Sequence, residues 1–425
     1  MPPRTSVVDL DAAPPGAPVR LAGRVLAAQG ERLLVADATG TVGVTLEGTP
    51  PRAGDLVELS VDPTSREARV IRVLTPCRDE RPFPSPGGEY YRLHQAVRGV
   101  TGRVRADLLA LRSRCFAAIR AFFAARGYIE VQTPHRVRLP GLEPHLVAAR
   151  AGDGFLITSP EYHMKRLLAA GLERIYFLGP CWRSDEQGPQ HLPEFTMLEW
   201  YRAYSDIDAL MVETEALVAA VARDVLGETR LRYAGQEIEL GPPWDRLTFA
   251  RACRELAGVE LAGVCDAPEL RRRARAAGLG PFEESEGFDA VASRILVERV
   301  EPGLVGPRPV FLHDFPAPLA ALARLRPDDP TVAERFELYA GGLELANAFG
   351  ELTDADEQRR RLEEDRRARA AAGAPAHALD ERFLAALAEG IPPSAGIALG
   401  VDRLVMLLSG AADIRDVVAF APDEV

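Results

Sequence analysis

The sequence predicts an α+β protein in which a small all-β domain precedes a larger domain of mixed helices and strands. Short runs of alternating apolar residues, separated by turn residues, fill residues 18–74. A segment rich in proline and glycine follows at residues 76–102. From residue 106 onward the apolar residues recur at helical spacing. We therefore expect three parts: an all-β domain at 1–76, a linking or wrapping segment at 77–105 and the larger domain at 106–425.

The first part of the chain contains five candidate strands. Turn signals such as Gln29-Gly and Thr39-Gly separate them, and a Pro/Ala-rich arm at residues 1–18 is expected to be loose. Five short strands in so few residues favour a small barrel, and the pattern from Val35 to Val42 resembles an OB-fold. The strands are predicted at residues 19–28, 32–36, 41–46, 55–61 and 68–73.

The composition of this first domain argues against binding of single-stranded RNA. Residues 1–80 contain no Phe, Tyr or Trp, and residues 1–77 contain eight Arg against nine Asp and Glu. OB-folds hold RNA by aromatic stacking and basic grooves, and neither is available here. We interpret the domain as a degenerate OB-fold. Three roles remain open for this domain: it could dock a protein partner, stabilise a dimer, or simply pack against the rest of the protein without a function of its own.

The larger domain begins with a helix followed by a short strand. The helical spacing of apolar residues runs from residue 106 to about Gly127, and Tyr128 to Thr133 reads as a strand before Pro134. Further helices are predicted at 205–227, 267–277 and 355–372. The last of these is dense in Glu and Arg at i,i+3 and i,i+4 spacing, which indicates a solvated helix rather than a binding site.

Composition limits the class of protein. With 425 residues, 47% of them hydrophobic, the chain is long enough for two or three globular domains. No apolar run is long enough to span a membrane, and the N-terminus lacks a signal-peptide pattern, so we expect a cytoplasmic protein without a membrane partner.

The net charge of −11 argues against a broad nucleic-acid surface. The five cysteines form no CxxC pair and are expected to be buried, reduced thiols, and Lys165 is the only lysine.

Two segments of the larger domain carry a recognisable chemical pattern. The first, Arg183 to Tyr201, reads as an arginine, a polar loop and a strand that starts Pro-Glu-Phe; the second, Gly396 to Arg403, is a Gly-rich turn that ends in arginine. Together they resemble motifs 2 and 3 of the class II aminoacyl-tRNA synthetases. The helix and strand before Pro134 resemble motif 1, the dimer element of that family. The resemblance implies an antiparallel sheet flanked by helices, a homodimer and ATP-dependent activation of an amino acid.

Activation of a carboxylate by ATP requires alignment and charge neutralisation rather than a nucleophilic side chain. The carboxylate attacks the α-phosphorus and expels pyrophosphate, and arginine and Mg²⁺ suit the charge on the phosphoryl oxygens. The resemblance assigns the catalytic roles to Arg183 and Arg403, with ATP and Mg²⁺ as cofactors. Arg403 would also cover the adenine on the face opposite Phe195.

The resemblance implies a set of ATP-binding residues. Arg183 would contact the α-phosphate and the substrate carboxylate, and His191 the pyrophosphate end. The family usually has Arg-Asn-Glu where this chain has Arg-Ser-Asp-Glu, so either Asp185 or Glu186 reads the adenine amino group. The full expected set is Arg183, Ser184, Asp185, Glu186, His191, Phe195, Glu344, Leu345, Gly400 and Arg403.

The implied amino-acid site has two ends. Glu161, with Ser159, would hold one amine of the substrate, and Glu351, with Tyr201, would hold the other as an ammonium. Strand geometry places Phe195, Met197, Glu199 and Tyr201 on one face. The full expected set is Ser159, Glu161, Tyr201, Asn347, Glu351 and Ala398.

The expected metal ligands are Glu344 and Glu351. By resemblance Glu344 faces the ATP phosphates and Mg²⁺. These two residues are seven positions apart, so a regular strand would point them to opposite faces. Either the strand is irregular between them, or Glu344 lies outside the site.

One branch of the family matches more closely than the others. The sequences Ser159-Pro-Glu-Tyr-His-Met-Lys, Glu199-Trp-Tyr-Arg and Ala398-Leu-Gly-Val-Asp-Arg resemble the elongation factor P lysine ligases, which are paralogues of lysyl-tRNA synthetase. Those enzymes activate lysine, typically (R)-β-lysine, and transfer it to a lysine side chain of elongation factor P. The resemblance covers roughly residues 107–422, and it implies the same substrates and protein partner here, without tRNA.

The N-terminal domain departs from this branch. The usual ligase lacks an OB-like domain, whereas lysyl-tRNA synthetases use such a domain to bind the anticodon. A compact lysyl-tRNA synthetase is therefore the first alternative, and a catalytically inactive paralogue that serves as a binding module is the second. Ala398 stands where lysyl-tRNA synthetases usually have glycine, and both α- and β-lysine remain open as substrates.

Overall fold

A computed structural model describes residues 4–98, 100–143, 146–371 and 373–425 of the chain. It divides the protein into two compact units, Met1–Gln95 and Ala96–Val425. No helix in the described ranges is both long enough and apolar enough to cross a membrane. All five cysteines are free, as predicted, but only Cys115, Cys181 and Cys253 are buried; Cys77 is partly exposed and Cys265 is exposed, contrary to the expectation that all are buried.

The described residues of the N-terminal unit form a six-stranded sheet, a 3₁₀ turn at Leu10–Ala12 and one short α-helix. The strands pair in the order β1-β2-β3-β4-β6-β5, and β5 pairs in addition with β2. Alternate apolar residues of these strands form one core, which includes Leu21, Val35 and Leu59. The elements are β1 (Arg4–Thr5), β2 (Val19–Gln29), β3 (Arg32–Asp37), β4 (Gly40–Glu47), β5 (Leu56–Val61), β6 (Glu67–Thr75) and α1 (Glu89–His94).

The arm that precedes these strands is ordered from Arg4 onward, contrary to the sequence-based expectation of a loose segment. Strand β1 pairs with β2, and the backbone N–H of Val7 donates to Asp37 at 3.0 Å. Leu10 is buried in the same core as the strands. The Pro/Ala-rich composition hid this anchor because a single apolar side chain leaves no periodic signal.

The C-terminal unit is built on one large sheet flanked by helices, as the α+β prediction requires. Its remaining strands form a three-stranded sheet and a two-stranded hairpin. The helices are α2 (Arg105–Ala124), α3 (Glu161–Ala169), α4 (Ile207–Leu226), α5 (Phe249–Ala252), α6 (Ala267–Ala276), α7 (Phe288–Ile295), α8 (Ala355–Ala371), α9 (Glu381–Glu389) and α10 (Val401–Ser409). The strands are β7 (Ile129–Glu130), β8 (Arg136–Val137), β9 (Arg150–Ala151), β10 (Gly154–Leu156), β11 (Arg174–Trp182), β12 (Glu194–Ala203), β13 (Arg230–Tyr233), β14 (Gln236–Glu239), β15 (Asp245–Thr248), β16 (Val310–Pro316), β17 (Val332–Ala340), β18 (Leu343–Gly350) and β19 (Ser394–Gly400).

One predicted strand is shorter in the structure, and one predicted helix ends on a residue outside the described ones. The predicted strand from Tyr128 to Thr133 is reduced to β7, because only Ile129 and Glu130 pair with β11. The predicted helix 355–372 corresponds to α8, and its last residue, Ala372, lies outside the described residues.

The large sheet has eight strands in the order β15-β16-β17-β18-β19-β12-β11-β7. Its central pairs are antiparallel, and only the two edge pairs, β15 with β16 and β7 with β11, are parallel. One face of the sheet packs on a large apolar core that contains residues of α2, α4 and α10. Trp200, Ile397 and Leu399 point into that core, so by strand alternation their neighbours Glu199, Tyr201 and Ala398 point to the other face.

Candidate functional site

The face of the sheet opposite the large core has strand β19 near its middle, and we refer to the strip along β19 on this face as the groove. Its face residues have almost no side chain: Gly396 pairs with Tyr201, Ala398 with Glu199, and Gly400 with Met197. The neighbouring strands β12, β18 and β17 carry larger polar and aromatic groups on the same face. A groove with small residues at its base and polar walls can bind an extended ligand along β19.

One end of the groove is formed by the loop between β11 and β12. The guanidinium of Arg183 lies over the Phe195 ring, 5.2 Å from its centre, and donates to Glu186 at 3.2 Å. The backbone of Arg183 bonds to Pro193 at 2.9 Å, which closes the loop. Of the two carboxylates in this loop, Glu186 faces the arginine and is half-buried, whereas Asp185 is exposed.

Arg403, at the start of α10, lies at the same end and contacts three groups. Its guanidinium donates to the carbonyl oxygens of Gln190, at 3.0 Å, and Glu344, at 2.6 Å, and lies 2.5 Å from Nε2 of His191. Burial and the nearby positive charge of Arg403 lower the pKa of His191. The imidazole is therefore neutral at neutral pH and can accept the arginine hydrogen.

Asp402, the residue before Arg403 in α10, anchors the start of this helix through its buried carboxylate. This carboxylate accepts the backbone N–H of Thr196 at 2.7 Å and forms an ion pair with Arg112 of α2. Arg112 also donates to the Thr196 hydroxyl at 2.7 Å. These bonds tie α10 to the start of β12, so the two arginine-bearing segments are held in register.

A β-bulge in β18 places Glu344 on the face of the groove. The pairing of β17 with β18 shifts between Leu338, opposite Ala346, and Tyr339, opposite Glu344, which leaves Leu345 as an extra residue. Glu344 therefore points to the same side as Asn347, and the strand is irregular, which was the first of the two possibilities open from the sequence. Leu345 points instead into the core, so only its backbone is available to a ligand.

The other end of the groove holds a buried cluster of acidic groups around one lysine. The ammonium of Lys165 lies 2.6 Å from Glu161 and 2.6 Å from Glu351. Glu199 accepts hydrogen bonds from the hydroxyls of Tyr201, at 2.6 Å, and Ser159, at 3.0 Å. All of these carboxylates are buried, and Lys165 has no exposed surface.

Burial sets the protonation of this cluster. It raises the pKa of Glu199 to about 8, and the charge of Glu161 acts in the same direction. It also raises the pKa of Glu351, although Lys165 opposes the shift. Burial alone would lower the pKa of Lys165, but the two carboxylates outweigh it and the pKa lies above its usual value. The cluster thus holds a permanent ammonium and attracts further positive charge.

The sequence did not reveal a second polar network on β17. Arg335 donates to Glu337 at 2.6 Å and to the side-chain oxygen of Asn347 at 3.2 Å, and Tyr339 donates to Glu337 at 2.7 Å. Burial raises the pKa of Glu337. These three residues alternate along β17, so a period-2 reading of Arg335 to Tyr339 was the signal that could have found them.

The two expected metal ligands lie at opposite ends of β18, roughly 20 Å apart along the strand, so one ion cannot contact both. Glu351 is already bound to Lys165, whereas the half-exposed Glu344 lies beside Arg403 at the phosphate end. Mg²⁺ in nucleotide sites usually takes one or two carboxylates and fills its shell with phosphates and water. Glu344 fits that pattern, and the described residues contain no group of three or more His, Cys, Asp or Glu that could bind a metal without a substrate.

Comparison with known proteins adds a family assignment. Residues 88–424 match the model of the class II tRNA synthetases for D, K and N. A lysine–tRNA ligase of Pelotomaculum thermopropionicum is 37% identical over 74% of this chain, which spans 63% of that protein. An elongation factor P–(R)-β-lysine ligase of Erwinia tasmaniensis is 42% identical over 75% of this chain and 95% of its own length. A lysine–tRNA ligase of Thermosynechococcus vestitus is 36% identical over 91% of this chain and 75% of its own length.

Proposed function

Because the chain belongs to the class II tRNA synthetases for D, K and N, we propose that it activates lysine or (R)-β-lysine with ATP and transfers the aminoacyl group to a lysine side chain of elongation factor P. It would be an AMP-forming ligase. The aminoacyl-adenylate forms first, and an uncharged acceptor amine then attacks its carbonyl carbon and expels AMP.

The observation that carries this proposal is the extent of the matches. The protein is 42% identical to the Erwinia ligase over 95% of that enzyme, but it spans only 63% of the Pelotomaculum lysine–tRNA ligase. This chain therefore matches almost the whole length of the Erwinia ligase. In contrast, more than a third of the Pelotomaculum lysine–tRNA ligase has no matching residues in this chain.

The proposed ATP site lies at the end of the groove that contains both arginines. Arg183 would neutralise the α-phosphate and align the substrate carboxylate, and Phe195 would stack on the adenine. Arg403 and Glu344 would lie at the phosphates, where Mg²⁺ bound to Glu344 would neutralise phosphoryl charge. The other proposed contacts are Ser184, Asp185, Glu186, His191, the backbone of Leu345 and Gly400.

Glu186 is the better candidate of the two carboxylates for reading the adenine amino group. It faces Arg183 at 3.2 Å, and Arg183 in turn covers Phe195, so all three lie in one layer of the site. Asp185 is exposed to solvent. In the proposed complex the adenine would take the position over Phe195 that the Arg183 guanidinium occupies in the free protein.

The proposed amino-acid site is the acidic end of the groove. Glu161 and Ser159 would hold one amine, and Glu351 and Tyr201 would hold the other. Asn347 and Ala398 would form the wall between them. The Ala398 methyl group, where related synthetases have glycine, narrows this wall, which would discriminate between the amine positions of α- and β-lysine by about 1–3 kcal/mol at most.

The N-terminal unit supports a protein acceptor more than tRNA. We propose that its closed strand pairing, with β5 bonded to β2, is an OB-like domain at residues 1–76, joined by 77–105 to the catalytic domain at 106–425. Residues 1–80 contain no aromatic side chain on which RNA bases could stack. We also propose that the protein is cytoplasmic and that it forms a homodimer through the region of α2.

A compact lysyl-tRNA synthetase is the second candidate, and one observation favours it. The match to the Thermosynechococcus lysine–tRNA ligase covers 91% of this chain, which is more than the family model covers at 88–424 and extends into the N-terminal unit.

Two assays on the purified protein test these alternatives. Lysine- or β-lysine-dependent exchange of pyrophosphate into ATP is expected, and its complete absence would mean that the protein is an inactive paralogue. Charging of tRNA under the same conditions is not expected. Efficient formation of lysyl-tRNA would show that the second candidate is correct.

A further inference from the structure

Lys165 connects the two carboxylates that the proposed function assigns to the two amino groups of the substrate. Its ammonium lies 2.6 Å from Oε1 of Glu161 and 2.6 Å from Oε2 of Glu351. Because both oxygens are bound to the same nitrogen, they lie within about twice that distance of each other. The lysine side chain is completely buried, so water does not weaken this arrangement.

Each carboxylate keeps one oxygen that Lys165 does not use. Both oxygens of Glu351 are buried and lack a hydrogen bond of normal geometry among the described residues, but Oε2 forms an ion pair with Lys165, whereas Oε1 does not. Gly396 lies beside it, and a Cβ atom there would overlap this oxygen and the Tyr201 ring. A buried carboxylate oxygen without a partner is unfavourable, so this atom indicates a site for a cationic ligand.

The residue type at position 165 also requires a physical reason. The chain has one lysine among 51 basic residues, and that lysine is the one between two carboxylates. An ammonium is a compact point charge that can donate to two oxygens close together. A guanidinium is a planar fork, which would push the two carboxylates apart and pair with one of them through two bonds.

We propose that Lys165 is a positioning residue that sets the spacing between the two ammonium sites. It would thereby select an amino acid whose two amino groups have the separation found in lysine or β-lysine. This inference rests on the proposed function and extends it. Lys165 supplies a single positive charge to a cluster that also contains Glu161, Glu199 and Glu351, so the cluster accepts a dicationic amino acid and disfavours one with a neutral side chain.

Kinetics of charge-conserving and charge-removing variants test the proposal. In pyrophosphate exchange, Lys165→Arg and Lys165→Met are each expected to raise the KM for lysine on the order of 100-fold while the KM for ATP stays unchanged. Arg166→Met removes a positive charge from the next position of α3 and is expected to change neither value. Folded Lys165 variants with an unchanged KM for lysine, or with equal rises for lysine and ATP, would overturn the proposal.

A spectroscopic measurement on the unaltered protein covers the case in which these variants do not fold. Protein grown with lysine labelled with ¹⁵N at the side-chain nitrogen gives one labelled site, since the chain contains one lysine. Its NMR signal is expected to shift when the unlabelled amino acid that supports pyrophosphate exchange, lysine or β-lysine, is added and to stay in place when ATP alone is added. A signal that does not respond to a saturating amount of that amino acid contradicts the positioning role.

The proposed function can fail separately. If the unaltered protein shows no exchange with lysine or β-lysine, the assignment of the substrate is wrong. If exchange occurs but the Lys165 signal does not respond, only the role of Lys165 is wrong.

Discussion

Gly396 and Tyr201 face each other across the pair of β19 and β12, and the glycine leaves the space that the tyrosine ring occupies. A Cβ at this position would overlap both the ring and Oε1 of Glu351. The absence of one side chain on β19 thus allows a phenol and a carboxylate to converge at the amino-acid end of the groove.

Gly396→Ala is therefore expected to weaken lysine binding strongly and to destabilise the protein by about 1–3 kcal/mol, as overpacked positions do. Calorimetric titration with lysine and chemical unfolding measure the two effects. Gly306→Ala is the matched control, because a Cβ there meets no atom within 4 Å. Equal lysine affinity in Gly396→Ala and the unaltered protein would show that this end of the groove does not bind the amino acid.

Arg183→Ala is expected to lower the rate of lysine-dependent pyrophosphate exchange by at least about 10²–10³-fold, the loss typical of one donor to a developing anion. The guanidinium lies at this end of the groove in the free protein, over Phe195, and the substitution removes the positive charge that is proposed to neutralise the α-phosphate. Arg299→Ala, at an exposed position, should exchange at the normal rate. An active Arg183→Ala variant would remove this residue from the proposed mechanism.

Asp402 and Arg112 are expected to act as one unit. Removing one partner of a buried ion pair typically costs about 3–5 kcal/mol, and the pair also binds Thr196. Asp402→Ala and Arg112→Ala should each lower the free energy of unfolding and raise the KM for ATP, because Arg403 loses its support. In a double-mutant cycle the combined loss should be smaller than the sum of the two single losses. Additive losses would indicate that the residues stabilise the protein independently.

The raised pKa of Glu199 predicts that the stability of the folded protein depends on pH. That pKa is about 8 in the folded protein against 4.5 as the ordinary value, so between these pH values the folded state binds the extra proton. The free energy of unfolding of the ligand-free protein should therefore fall as pH rises from about 4.5 to about 8. Glu199→Gln should make this dependence shallower, which denaturant titrations at several pH values can measure.

The raised pKa of Glu199 also predicts that lysine stabilises the protein more at pH 8 than at pH 6. An ammonium near the cluster favours the ionised carboxylates, and the proton that must leave is released more easily at the higher pH. Thermal shifts with saturating lysine at the two pH values check this. A larger shift at pH 6 would mean that the amino acid binds elsewhere.

The enzyme is expected not to acylate itself on a lysine. Its only lysine is fully buried and bound by two carboxylates, so no uncharged, accessible lysine amine is available to the adenylate. Peptide mass spectra after incubation with ATP, Mg²⁺ and lysine, without acceptor, should show an unmodified Lys165. Arg138→Lys, at an exposed position, is a positive control for detection. Lysylation of Lys165 in the folded protein would contradict the burial argument.

Much of the site could be read from the sequence because its residues are close together in short segments. The strand period alone placed Glu199 and Tyr201 on one face, and β12 has them there. The position of Glu344 could not be read, because one extra residue in β18 changes the face of everything before it, and the bulge depends on the partner strand β17.

Lys165 illustrates a second limit of what could be predicted from the sequence. The sequence marked it as the only lysine, and Glu161, four positions before it on the same helix, is a partner that helical spacing could have suggested. Its second partner, Glu351, follows β18 and is far away along the chain. Such a contact is determined by how the helix packs on the sheet, and no local pattern encodes it. The polar network of Arg335, Glu337 and Tyr339 was missed for a different reason: alternating polar residues in a strand usually indicate an exposed face.

The most direct test of the central claim is the intact mass of elongation factor P after incubation with this protein, ATP, Mg²⁺ and either α- or β-lysine. We predict a gain of one lysyl unit, larger in yield with one of the two isomers, and no gain when Arg183→Ala replaces the unaltered enzyme. Unchanged elongation factor P with both isomers, from a preparation that performs pyrophosphate exchange, would show that the acceptor is a different molecule and that the central claim is wrong.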